Sequence, residues 1–129
     1  MECPHCKQSC VAFDVPADLQ EYAPEGADAA AICPTCLRTF PVENGDPTPE
    51  FTPVGEFFPA DGAGIPLALA LGKIDSLALN RTAIETLLSY AEQEGADALL
   101  ALDRLAAAGS VQPHFDIDRR RVQIEQLLE

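Results

Sequence analysis

Residues 1–10 read MECPHCKQSC, and residues 29–40 read AAAICPTCLRTF. Each stretch holds a Cys-Pro-x-Cys unit, so Cys3, Cys6, Cys33 and Cys36 form the pattern C-x2-C-x26-C-x2-C. Two residues between paired cysteines let a tight turn aim both sulfurs at one point, and proline after the first cysteine pre-sets that turn. Two such turns brought together by a hairpin supply four thiolates in a tetrahedron, an arrangement that suits Zn²⁺. The spacer exceeds the commonest ribbon spacing, and the loop VPADLQEYAPEG (15–26) absorbs the excess. About forty residues bury too little surface to fold unaided. A structural zinc contributes roughly 10–16 kcal/mol in apparent terms at neutral pH, so the ion is expected to be the core of this module.

Two other chemistries use the same ligands. An iron tetrathiolate of rubredoxin type is one. Lys7 and Leu37 stand where glycine would let backbone amides reach the sulfurs, which counts against electron transfer. A thioredoxin-like thiol pair is the other, but it needs its CxxC to open a helix, and the residues after Cys6 run into a strand pattern. Cys10 is the odd thiol. It can be read as a spare ligand or a sensor, or more plainly as a small buried residue at a strand edge. His5 points out of its knuckle when both cysteines bind, and His114 lacks a partner at ligand spacing. Neither is expected to ligate.

The rest of the chain divides by composition. Residues 1–42 hold all five cysteines and three short strand patterns, with Val11, Phe13 and Val15 alternating on one face. A helical turn is expected near Asp18–Tyr22. Residues 43–61, ENGDPTPEFTPVGEFFPAD, are rich in Pro, Gly and acid and read as a linker, though Phe51, Phe57 and Phe58 imply packing along the body. From residue 62 onward the periodicity is helical. IPLALALGKIDSLAL (65–79) is apolar nearly all round and reads as one buried helix, with Pro66 in its first turn and Gly72 inside it. Thr82 and Glu85 predict a capping box opening the next helix, which Gly95 closes. Asp97 and Gly109 bracket a third helix, and Ile117, Ile124 and Leu128 share one face of a fourth.

The chain carries 21 acidic residues against 8 basic ones, a formal net charge of −13. Both halves share the excess, at −8 for residues 1–60 and −5 for residues 61–129. Such a field repels phosphate backbones and anionic lipid surfaces. It suits molar salt, where the screening length is roughly 3 Å and self-repulsion is quenched. Arg119–Arg121 is the one basic run, and Asp116, Asp118 and Glu125 surround it. Pairing of Asp116 with Arg119 or Arg120, and of Glu125 with Arg121, is expected, with a docking site for an acidic partner as the other reading. The opening residues are polar where a signal peptide is apolar, and Lys73 and Asp75 interrupt the most apolar run, so a cytoplasmic protein is expected. No phosphate loop, nucleophile elbow or His–carboxylate arrangement stands out. A four-cysteine zinc has no open position for an activated water, and an enzyme is not expected.

MECPHC, FDVPADLQEYAPEGADAAAICPTCLRTFP, IPLALALGKIDSLALNR and LLALDRLAAAGSVQPHFDIDRRRVQIEQLL together resemble a small, uncharacterised zinc-ribbon protein family of halophilic archaea. The resemblance implies a salt-rich cytoplasm and a zinc site at Cys3, Cys6, Cys33 and Cys36, and it implies no activity. The expected architecture is α+β: a small N-terminal zinc ribbon of two CxxC knuckles and about three short antiparallel strands (1–42), the packed linker (43–61), and a bundle of about four helices (62–129). The expected function is a protein-interaction or adaptor module with one structural Zn²⁺. The alternatives are a nucleic-acid-associated ribbon, against which stands its having only Lys7 and Arg38 as local cations, and a thiol-redox or iron protein. A homodimer seam around Ile65–Leu79 is also compatible with the pattern.

Overall fold

The structure, a computed structural model, describes residues 2–128. Three strands, β1 (Val11–Asp14), β2 (Ala29–Ile32) and β3 (Thr39–Pro41), form an antiparallel sheet in the order β1-β2-β3. Val11 pairs with Ile32, Phe13 with Ala30, and Ala31 with Phe40. The predicted alternation decides which face is buried: Val11, Phe13 and Val15 point inward while Asp14 is exposed. The long loop between β1 and β2 folds into two 3-10 turns, Ala17–Tyr22 and Pro24–Gly26, and the first buries Leu19. No single helix among the described residues is long and apolar enough to cross a membrane.

Four α-helices follow, α1 (Asp61–Leu71), α2 (Leu77–Gln93), α3 (Ala98–Ala107) and α4 (Ile117–Leu128). The apolar run 65–79 is not one helix. It ends at Leu71 with Gly72 as its C-cap, passes through a 3-10 turn at Ile74–Ser76, and restarts as α2 after a bend of 54°. Close packing demands glycine at the break. A Cβ at Gly72 would lie 1.8 Å from Thr39 Oγ1, so the end of α1 can meet β3 only through glycine. Pro66 lies in the second turn of α1 rather than the first, and there it cannot donate to the carbonyl of Gly62. Ala63 to Leu71 are all buried, whereas Leu79 at the far end of the run is 89% exposed.

The predicted capping box is also corrected. Thr82 and Glu85 lie inside α2, whose first turn begins five residues earlier and bends at Asn80. Asn80 Nδ2 donates to the carbonyls of Lys73 and Ser76 at 3.3 and 3.1 Å, and this ties the helix start to the preceding turn. Gly95 ends α2 as expected, at φ 99°, with the N–H of Ala96 returning to the carbonyl of Ala91 at 3.0 Å. The Asp97 side chain caps α3, accepting from the N–H of Leu100 at 3.0 Å.

One apolar cluster contains residues from every part of the chain: Phe13, Leu19, Ile32 and Leu37 of the cysteine-bearing third, Phe51, Val54 and Phe58 of the Pro-rich stretch, and the inward faces of all four helices. Phe51 sits between Phe13 and Phe58, with ring centroids 5.8 and 5.1 Å away. The first third is therefore not organised by a metal alone, because its sheet borrows a core from the helices.

Candidate metal centre

The two CPxC units fold into matching knuckles. In each, the first cysteine donates its N–H to a carbonyl five residues on (Cys3 to Gln8, Cys33 to Arg38), and each of these bonds is 2.9 Å long. Its own carbonyl accepts from the residue after the second cysteine, Lys7 or Leu37, also at 2.9 Å. This closure needs a left-handed residue, and Lys7 and Leu37 supply it at φ 62° and 64°. The absence of glycine therefore does not keep amides from the sulfurs. Cys3 Sγ accepts from the N–H groups of His5 and Cys6, both at 3.4 Å, and Cys33 Sγ accepts from that of Cys36 at 3.5 Å.

The hairpin of β2 and β3 positions the second knuckle, and a Glu2–Ser9 bridge closes the first. Together they bring the sulfurs of Cys3, Cys6, Cys33 and Cys36 within 4.8 Å of one another, with Cys3 and Cys36 at 3.7 Å. A tetrahedron with Zn–S near 2.3 Å has edges of about 3.8 Å, so the four sulfurs can hold a single metal ion. Cys3, Cys33 and Cys36 are buried, and Cys6 is half-exposed.

Proton affinities within the cluster are unequal. Burial pushes the Cys3 thiol up, but the N–H groups of Cys6 and His5 and the neighbouring sulfurs outweigh it and bring it down to about 7. Cys6 is pushed up to about 12, first by the Cys36 sulfur, then by burial and by the charges of Cys36 and Cys33. Burial raises Cys33. A divalent cation bound by the four sulfurs displaces the thiol protons. The guanidinium of Arg38, raised by the Cys36 sulfur, sets one positive charge beside the cluster.

The remaining candidates fall elsewhere. Cys10 is half-buried rather than buried. It packs on the sulfur cluster without joining the four, its Sγ lies 3.5 Å from the Gln8 carbonyl, and burial above all pushes it up to about 12. His5 is exposed on the first knuckle. His114 is a structural tie that the sequence pattern did not reveal. Its N–H donates to the Cys36 carbonyl at 2.9 Å, and its Nε2–H donates to the Leu71 carbonyl at 3.1 Å. With the bond from Gln112 N–H to the Thr35 carbonyl at 2.7 Å, it fastens the second knuckle to the helical body. The first knuckle has no such fastening among the described residues, and Pro4, His5, Lys7, Gln8 and Ser9 face solvent.

The basic run is paired partly as expected, with Glu125 on Arg121. Arg121 takes both Glu125 and Asp103, the latter at 2.9 Å. Asp116 caps α4 by accepting from the N–H of Arg119 at 3.2 Å instead of pairing with a guanidinium.

Residues 2–128 match a protein family of unknown function, DUF6276. No curated protein and no solved structure matches the chain.

Proposed function

Since the chain belongs to DUF6276, a family of unknown function, along residues 2–128, we propose from its own geometry that it is a zinc-stabilised adaptor. In this reading Cys3, Cys6, Cys33 and Cys36 hold one structural Zn²⁺, no reaction is catalysed, and the ion holds the exposed first knuckle in a fixed shape for another protein. The observation that supports it most is the convergence of four sulfurs within 4.8 Å. Four thiolates complete the coordination of zinc, so no position is left for an activated water. The ion's chemistry is then cross-linking: it neutralises and fixes thiolates that would otherwise repel. Affinity capture with the zinc-loaded chain, read by mass spectrometry beside a Cys33→Ser chain, tests the role. A partner retained only by the zinc-loaded form supports it, and equal recovery by both forms counts against it.

A second reading has its own support. N–H groups reach Cys3 Sγ and Cys33 Sγ, and such hydrogen bonds also tune iron tetrathiolates. A coloured protein holding iron and undergoing reversible one-electron reduction would replace the zinc reading. The nucleic-acid alternative has less to stand on, with Lys7 and Arg38 the knuckles' only cations on a chain of net charge −13.

The same reading places the protein in the salt-rich cytoplasm of a halophilic archaeon. The support is the charge: 21 acidic against 8 basic residues, spread over both halves. A urea midpoint that rises markedly from dilute buffer to molar potassium chloride is the expected result. Equal midpoints would count against a salt-adapted protein.

A further inference from the structure

Where the first turn of α2 meets α4, a shallow groove of about 270 Å³ opens to solvent. Leu77, Ala78 and Leu127 form its apolar wall, and Arg81, Arg120 and Gln123 supply polar groups. Its charge is out of keeping with the molecule. In a chain with 21 acidic residues for 8 basic ones, neither groove arginine makes an ion pair among the described residues. Arg121, one position along, is paired with two carboxylates. Arg120 is held by neutral acceptors instead, Gln123 Oε1 at 2.8 Å and the Asp75 carbonyl at 2.9 Å. This fixes its plane and leaves donors free. Arg81 is exposed, and its side chain makes no hydrogen bond among the described residues.

Guanidinium groups recognise carboxylates through paired N–H donors. The groove falls below the ~300–1,000 Å³ of pockets that enclose small molecules, so it takes a side chain more readily than a whole ligand. Two exposed apolar side chains lie on the same helices. Leu79, next to Ala78, is 89% exposed, and Val122, next to Gln123, is 54% exposed.

We propose that this groove docks an acidic segment of a partner protein, with carboxylates on Arg81 and Arg120 and a neighbouring apolar side chain against Leu77, Ala78 and Leu127. The proposal rests on the adaptor reading and adds to the knuckle a second contact surface, on the helices, with a stated chemical character.

The test titrates the full, metal-loaded chain with a short peptide alternating Asp or Glu with Leu, followed by backbone amide chemical shifts. Shifts concentrated at residues 77–81 and 120–127 are expected. Arg81→Glu should weaken binding at least about tenfold, and so should an Asn/Gln version of the peptide. Arg104→Glu, on a different surface, should leave it unchanged. Absence of binding, equal binding of the amide peptide, or equal loss with Arg104→Glu would overturn the proposal. So would hexanoate binding as tightly as the peptide, which would make the groove a small-carboxylate site. Failure here is separable from failure of the adaptor reading: a partner captured equally by wild-type and Arg81→Glu chains refutes the groove and leaves the adaptor standing.

Discussion

Lys7 and Leu37 occupy equivalent left-handed positions in the two knuckles, at φ 62° and 64°, yet Lys7 lies in solvent and Leu37 is fully buried. The turn makes one demand on both backbones, and only one of the two side chains is tied to the core. Glycine at each position separates the two roles. Left-handed backbone costs a non-glycine residue about 1–2 kcal/mol, while glycine costs about 0.4–1 kcal/mol through the unfolded chain. Lys7→Gly is therefore expected to leave stability within about 1 kcal/mol of wild type, on the stabilising side. Leu37→Gly loses a buried leucine and is expected to cost about 2–5 kcal/mol. Urea denaturation of both metal-loaded variants makes the comparison.

Phe51 joins the Pro-rich stretch to the sheet, lying between Phe13 and Phe58 and 2% exposed. Nearby, Gly64 lets α1 approach so closely that a Cβ there would stand 2.3 Å from the Pro59 carbonyl and 2.7 Å from the Phe51 ring. Phe51→Ala is expected to cost about 3–5 kcal/mol, far beyond what a true tether would feel. A thermal or urea transition unchanged by Phe51→Ala would show that residues 43–60 do not hold the body together.

His114 links pH to stability. Burial lowers its affinity for a proton, against the opposing pull of the Leu71 carbonyl and Asp75, and Arg38 adds to the lowering. Its Nδ1 lies 3.8 Å from Asp75 Oδ2, too far for a strong pair, and its side chain is only 5% exposed. With the folded value below the ordinary 6.5, the unfolded chain binds the proton first as pH falls. Stability is thus expected to be full above pH 6.5 and to decline below it. His114→Gln should flatten that decline. Urea midpoints across the range, with metal content checked at each pH, would show it.

The two knuckles are expected to respond differently to metal removal. Cys36 and Thr35 are hydrogen-bonded to the segment before α4, whereas Pro4, His5 and Lys7 to Ser9 face solvent. Chelation should therefore raise amide exchange sharply over residues 2–10 and much less over residues 33–38, with the helices retained. Equal loss of protection throughout would mean that the ion sustains the whole fold.

The ribbon was legible in the sequence because cysteine spacing and the alternation of Val11, Phe13 and Val15 are local signals. Asp97 and Gly95 marked helix ends for the same reason, since caps act within one turn. What escaped was decided at a distance. Residue 72, the C-cap of α1, must be glycine because Thr39, thirty-three positions earlier, leaves no room for a Cβ. The tie from His114 to Cys36 and Leu71 joins parts of the chain that no spacing rule connects. Lys7 and Leu37 misled by residue type: glycine is the usual occupant of left-handed backbone, and here the knuckle's hydrogen bonds hold two other residues in it.

The proposed role depends on four sulfurs sharing one ion. Elemental analysis of the purified full chain, with thiols counted before and after chelation, measures this directly. One zinc per chain is predicted, retained in Cys10→Ser and lost in Cys33→Ser. A chain with no stoichiometric metal, or one whose Cys33→Ser variant holds zinc as firmly as wild type, would contradict it.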